Sequence, residues 1–294
     1  MLSHTTPTLA EAESAARAGA TFKDILPILR GLSLDEFGEL FVTTPLPNYP
    51  RLSKVLPAMA PVDVQQTWTG RSGMRLYPQT SQFVRCIEAA YARHTGKRLA
   101  NEIILDFGCG YGRLIRMMYY YTDPDRIWGV DPWENSLNHC RSVALPANFR
   151  RSAEVPERLP VDVEFGFGFS FSVFTHLTDQ ATAGCLSAIR KSFKKGGMFV
   201  PTLRPVEYWA RLLDSSRSTS DHYKSLSHQV ITKAESDHRQ NGYGFVPHIN
   251  PNVRNYGDSS FAMEFFCKQD GWKMLGYDTL LDDQHQVLVY LQAA

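Results

Sequence analysis

The chain has 294 residues, is 43% hydrophobic and carries a formal net charge of +1 at neutral pH. That is enough apolar material for a full core, in one generous domain or one domain with a small appendage. The balanced charge gives no basic face for tracking phosphates and argues against a nucleic-acid partner.

Five isolated cysteines, Cys86, Cys109, Cys140, Cys185 and Cys267, form no C-x-x-C pair, so reduced thiols in a cytoplasmic setting are expected. No apolar run reaches membrane-spanning length, and Met-Leu-Ser-His at the start does not open a secretory leader.

In chain order, residues 8–42 read as helices. Ser33 and Glu36 have capping-box spacing, and Leu34, Phe37, Leu40 and Phe41 then share one face. Five prolines across 43–63 predict an extended, wrapping segment, and Thr67 to Gly73 reads as turn-rich. A helix is expected over 80–94, with Phe83, Ile87 and Ala90 buried. Strands then alternate with helices: strand 103–107, helix 112–121, strand 126–130, helix 133–142, a short strand near 149–152, strand 163–170, helix 179–194 and strand 197–203. This alternation predicts an α/β fold, a Rossmann-like doubly wound and mostly parallel sheet.

Beyond residue 204 the alternation stops. Residues 214–242 read as a polar, mobile insertion and 258–269 as a helix with Phe261, Phe265 and Phe266. Strands near 272–279 and 285–292 are joined by too few residues for a crossover, so the C-terminal strand must be antiparallel. The predicted organisation is an N-terminal helical and proline-rich cap over 1–75 and a main domain over 76–294, with an insertion at about 206–257.

The most informative segment runs from Ile103 to Arg113. An apolar strand ends in Asp106, and Gly108, Gly110 and Gly112 follow at every second position before a helix begins. Strand, tight turn and helix N-terminus make a nucleotide-type binding loop in which glycine lets the backbone approach a ligand. A carboxylate just ahead of the turn opposes a pyrophosphate. It suits a ligand with an ammonium group and no phosphate, and S-adenosylmethionine (SAM) is such a ligand.

Asp131, 19 residues after Gly112, ends the next strand, where an acid can accept hydrogen bonds from both ribose hydroxyls. A cap or turn role beside Pro132 competes with that reading. Trp133 either stacks on an adenine or packs. In the 163–172 segment, Phe165, Phe167, Phe169 and Phe171 alternate with Gly166, Gly168, Ser170 and Ser172. The glycines fit a packed helix. Ser170 and Ser172 lie at the strand's C-terminal end, where such sheets bind ligands.

Acid, Gly-x-Gly-x-Gly, helix, strand and second acid together resemble the class I SAM-dependent methyltransferases, over roughly residue 80 to the end. Leu105 to Gly112 resembles that family's first motif, Asp131 its ribose acid, and Lys195-Gly196-Gly197 its turn into the fifth strand. A narrower resemblance, on Trp68 to Gly73, Gln79-Thr80 and Ser172 to Leu177, is to methyltransferases encoded with bacterial polysaccharide-assembly enzymes. The family often has an acid after the third strand. Here Arg151-Ser152-Ala153-Glu154 stands there, leaving Ser152 or Glu154 as substitutes.

The expected cofactor set is therefore Asp106, Gly108, Cys109, Gly110, Gly112, Asp131, Pro132, Trp133, Ser152, Ser170 and Ser172, with S-adenosylhomocysteine (SAH) as product. His176, after the fourth strand, is the candidate general base, against a helix-capping alternative. Trp68, Tyr77, Arg204, Tyr208, Tyr243 and His248 are candidates for the acceptor, expected to be a small molecule or glycan. No metal is expected. His222, His228, His238 and His248 are spaced too irregularly for a helical metal pair, and a hairpin turn accounts for Asp282 and Asp283 beside His285. The leading reading is methyl transfer to a sugar hydroxyl. A nicotinamide-dependent oxidoreductase, opposed by Asp106 and Arg113, and a non-catalytic adenosyl-binding module are the alternatives.

Overall fold

A computed structural model describes residues 2–214, 228–248 and 255–294. It divides into two units, Met1–Arg151 and Ser152–Ala294.

The first unit opens with helices α1 (Thr6–Arg17), α2 (Phe22–Leu29) and α3 (Leu34–Thr43). The expected capping box starts α3: the Ser33 hydroxyl accepts from the Glu36 N–H, and the Glu36 carboxylate accepts from the Ser33 N–H. Leu34, Phe37, Leu40 and Phe41 are buried. The proline-rich segment is not simply extended. Pro50 begins α4 (Pro50–Val55), and α5 (Val62–Thr69) starts directly after Pro61 and ends on left-handed Gly70. A proline at the first helical position loses no internal hydrogen bond, so proline density misleads where it coincides with helix starts. Residues 67–69 of the turn-rich stretch are thus the last helical turn of α5, and 70–72 are non-helical as expected.

Helix α6 (Tyr77–Thr95) buries Phe83, Ile87 and Ala90 as expected. Then come β1 (Ile104–Phe107), α7 (Arg113–Met118), β2 (Ile127–Asp131), α8 (Glu134–Ser142) and β3 (Asn148–Arg151). The three strands are parallel, in the order β3-β2-β1. Helix α7 is shorter than expected, and Arg30 binds the chain beyond it, donating to the carbonyls of Tyr119 and Thr122 at 2.8 Å each.

The second unit contains β4 (Phe165–Ser170), α9 (Asp179–Arg190), β5 (Phe193–Leu203), α10 (Glu207–Leu213), α11 (His228–Asn241), β6 (Tyr243–Pro247), β7 (Gly257–Phe261), α12 (Met263–Cys267), β8 (Trp272–Thr279) and β9 (Val287–Ala293). Here the order is β4-β5-β9-β8, with β9 antiparallel to both neighbours, as the short hairpin link demands. The seven strands are mostly parallel and flanked by helices.

Three expectations need correction in this unit. The Gly196-Gly197 pair lies within β5, as a bulge opposite β4. A Cβ on Gly197 would stand 2.9 Å from the Lys194 carbonyl oxygen. Residues 257–261 form a strand, not the start of a helix. That strand, β7, pairs antiparallel with β6 as a separate two-stranded sheet, and only 263–267 are helical. Part of the presumed mobile insertion is ordered: α10 and α11 pack through Trp209, Leu212, Ile231 and Ala234 against Val246. Ile231, Ala234 and His238 mark the helical spacing within that polar stretch. His222 lies outside the described residues.

Candidate functional site

The glycine turn is held by its neighbours. Gly108 N–H donates to the Val130 carbonyl at 2.7 Å, which fastens the turn to the end of β2. All three glycines take left-handed φ angles. A Cβ on Gly112 would run into Leu145, and one on Gly110 would meet the Trp68 ring at 3.1 Å. The left-handed backbone strains any other residue at both positions, and at Gly112 the space is lacking as well.

Asp131 braces this loop. One carboxylate oxygen accepts from Gly110 N–H and the other from Trp133 N–H, both at 2.9 Å. The turn-capping role is therefore real, and each oxygen keeps a lone pair for a further donor. Asp106 is 2% exposed. Burial, then the nearby Asp131 charge, raises its pKa well above the ordinary carboxylate value, and Arg113 offsets this only in part. Asp131 is raised too, by burial, against the pull of its two backbone donors. Two buried acids with too little positive charge beside them form a site that favours a cation.

Two arginines shape this loop: Arg113, marked in the sequence only as a departure from a dinucleotide fingerprint, and Arg116, not singled out there. Arg113 is buried and donates to Gln79 and Thr80 of α6 at 3.1 and 2.7 Å. Arg116 is 1% exposed and donates to the carbonyls of Tyr111 and Gly112, at 3.0 and 2.8 Å, and to that of Ala58. Their signal was the first turn of the helix after the glycines, where charged side chains would ordinarily face water. Cys109 and Cys140 lie under the turn, both with Sγ directed at the Gly110 carbonyl.

The remaining first-unit candidates separate. Trp68 covers the turn, with its ring 5.9 Å from Tyr111 and 6.4 Å from Trp133. Trp133 is 40% exposed. The Pro132 carbonyl accepts from Arg151. Tyr77 instead joins α6 to α3, its hydroxyl donating to the Asp35 carbonyl at 2.6 Å.

In the second unit, β7 brings distant residues together. It bonds through backbone to the loop after β4 (Gly257 N–H to the His176 carbonyl, Ser259 N–H to that of Thr175) and, via Phe261 N–H, to Arg204. Asp258 of β7 is fully buried and accepts from Arg204, from the Tyr208 hydroxyl at 2.9 Å and from His248 Nε2 at 3.0 Å. Burial alone would raise its pKa, but Arg204, His248 and His176 hold it well below the carboxylate range. The Arg204 guanidinium lies over the Tyr208 ring at 4.0 Å, and His176 stacks on Tyr256 at 5.1 Å.

Four predicted residues, His176, Arg204, Tyr208 and His248, thus converge on an acid that was read as part of a helix. His176, the expected base, has Nδ1 2.7 Å from the Gly257 carbonyl oxygen, and burial and Arg204 lower its pKa to about 3. So weak a base has little capacity to take a proton at neutral pH. His176, His248 and Asp258 also present donor atoms within 4.8 Å of one another, a set that could hold a metal ion. Arg204 already supplies positive charge there, on Asp258 and 3.4 Å from His176 Nε2.

Tyr243 lies apart, its ring packed on Phe261 at 5.0 Å. His228 is exposed, while His238 is buried with Nδ1 2.6 Å from the Ser260 hydroxyl. Ser152 directly follows β3 and Ser170 ends β4. Both hydroxyls are buried and have no hydrogen-bond partner among the described residues, whereas Glu154 is exposed. The Ser172 hydroxyl is engaged by Gln286 and Thr175.

Residues 104–197 match the family model described as a methyltransferase domain. The chain has a Rossmann-like methyltransferase fold. It is similar to the PH0226 protein of Pyrococcus horikoshii (14% identity, 82% of this chain and 97% of that one, TM-score 0.51). It is also similar to a S-adenosylmethionine-dependent methyltransferase of Clostridium acetobutylicum (12% identity, 79% and 96%, TM-score 0.50). The magnesium protoporphyrin IX methyltransferase of Synechocystis, solved with bound SAH, aligns at 13% identity over 74% of this chain and 84% of that one, with a TM-score of 0.46. No curated protein matches the sequence. Among the described residues, no helix is long and apolar enough to cross a membrane.

Proposed function

We propose that this protein is a SAM-dependent methyltransferase acting on a hydroxyl of a sugar or other small polar acceptor. The observation that carries the cofactor reading is the buried pair Asp106 and Asp131 beside the glycine turn, raised in pKa by burial and, for Asp106, by its neighbour. A ligand with an ammonium or sulfonium charge relieves that excess, whereas a diphosphate adds to it. Ser152 and Ser170, the expected cofactor residues of the second unit, have buried hydroxyls without a partner among the described residues, and each gains from a ligand hydrogen bond.

In this reading Asp131 accepts the ribose hydroxyls, Asp106 faces the cationic tail, Gly108, Cys109, Gly110 and Gly112 give backbone access, and Trp68 and Trp133 shield the adenosyl group. SAM, when bound, supplies the methyl group and its leaving group. The chain's own work is positioning, which can contribute roughly 7–11 kcal/mol in favourable cases, and removal of the acceptor proton. His248, oriented by Asp258 at 3.0 Å, is the proton acceptor in this reading. His176 and Arg204 fix Asp258 and the ring beside it. Residues 1–75 act as a cap on the cofactor turn, and Tyr208 and His248, among the described residues of the insertion, serve the acceptor.

The test is calorimetry of the full chain with SAH and with NADH, followed by transfer of a labelled methyl group from SAM to glycans and nucleotide sugars. SAH binding and an O-methyl sugar after hydrolysis of the product are expected. NADH binding without SAH binding would replace this reading with an oxidoreductase.

A further inference from the structure

Residues just ahead of β9 present polar atoms that the sites above do not use. Gln286 is 6% exposed. Its Nε2 donates to the Ser172 hydroxyl at 3.1 Å, while its buried Oε1 receives no hydrogen bond from any described residue. The neighbouring His285 likewise has a buried Nδ1 with no partner among the described residues. Its ring is 6.0 Å from Tyr208, whose hydroxyl is bound to Asp258.

A buried carbonyl oxygen without a donor costs free energy that a ligand can return. Oε1 accepts only, and Nδ1 of a neutral imidazole either donates or accepts according to its tautomer. The matching group is a hydroxyl, because it donates to the amide and can play either part toward the ring. A carboxylate or phosphate has no proton for Oε1 and would be repelled by it. The nearby guanidiniums of Arg211 and Arg204 do not reverse this, being paired with Asp283 at 3.7 Å and with Asp258.

We infer that Gln286 and His285 form an acceptor subsite for a neutral polyhydroxylated ligand, with Gln286 Oε1 receiving a hydroxyl other than the one methylated. This inference rests on the methyl-transfer reading and specifies the acceptor: a neutral polyol, held by two residues on the link into the antiparallel strand. Such a site selects by the loss suffered when the hydroxyl is missing.

The test uses the full chain saturated with SAH and observes the Gln286 side-chain amide by nitrogen-15 NMR, assigned by its loss in Gln286→Leu. The probes are methyl α-mannopyranoside, methyl β-galactopyranoside and myo-inositol, with glucuronate as the charged control. A saturable shift with at least one neutral probe is expected. The variants lack that amide, so their affinity for the same probe is read by calorimetry, where Gln286→Leu should bind about five- to tenfold more weakly than the wild-type chain. Gln286→Met, close in length but without the amide, should weaken it to the same extent, with cooperative melting well above the assay temperature showing that each variant folds. No saturable shift with any neutral probe, equal binding by Gln286→Leu, or preference for glucuronate overturns the subsite. Failure of the wild-type chain to bind SAH in the same samples overturns instead the reading on which it rests.

Discussion

Two buried carboxylates, Asp106 in the first unit and Asp258 in the second, show opposite electrostatic treatment. Asp258 is saturated: an arginine, a tyrosine hydroxyl and a histidine donate to it, and its pKa falls. Asp106 is undersupplied: burial and a second acid raise its pKa, with Arg113 a partial offset. An acid whose charge the protein neutralises itself belongs to the scaffold. One left short of positive charge marks where a ligand must complete the site.

The sharpest way to break this comparison is at Asp258. Asp258→Asn strands the Arg204 guanidinium in the interior and should lower unfolding free energy by about 3–5 kcal/mol, measured by urea denaturation. The double variant Asp258→Asn with Arg204→Met should be less destabilised than the single one. Because the pKa of Asp258 is depressed, its stabilisation is present above the ordinary value of 3.8 and is lost as pH falls through the lower folded value.

Asp106→Asn should act in the other sense. Calorimetry should show SAH binding weakened by tenfold or more, which is about 1.4 kcal/mol. The ligand-free variant should melt at or above the wild-type temperature near pH 7. The raised pKa means that the folded state holds this proton more tightly than the unfolded one. Stability therefore drops as pH rises from 3.8 toward the folded value, and asparagine removes that loss. A drop in melting temperature for Asp106→Asn would erase the contrast with Asp258.

Smaller effects refine the picture. Trp68→Ala should weaken SAH binding several-fold, on the order of 1 kcal/mol, and abolish much of the tryptophan fluorescence change on binding. At the low end, the His176 ring resonances should stay in the neutral form from pH 5 to 8, since its pKa lies at about 3. Titration near 6.5 would show that Arg204 and burial do not control this ring.

Local patterns carried much of this in the sequence. Ser33 with Glu36 announces its helix because a capping box is complete within four residues. Strand, glycines and Asp131 announce the cofactor turn because both hydrogen-bond braces run between the ends of adjacent strands. Other features lacked a local sign. Asp258 in Gly-Asp-Ser-Ser-Phe has weak strand character and gains its place from pairing with β6. Arg116 reads as a surface charge until three carbonyls are found around it. Tyr77 lines a cavity with Thr80, Arg113 and Arg116, and the Tyr243 ring packs on Phe261, placements that no local pattern announces.

The sequence by itself determined where the glycine turn falls, where the sheet reverses and which residues cap the early helices. These depend on backbone freedom, chain reach and neighbours a few positions away. Only the tertiary structure decided which buried acid is neutralised, which histidine loses its basicity and which polar atoms remain without partners. Desolvation and Coulomb forces act through space, between residues that the chain keeps up to 82 positions apart, as with His176 and Asp258.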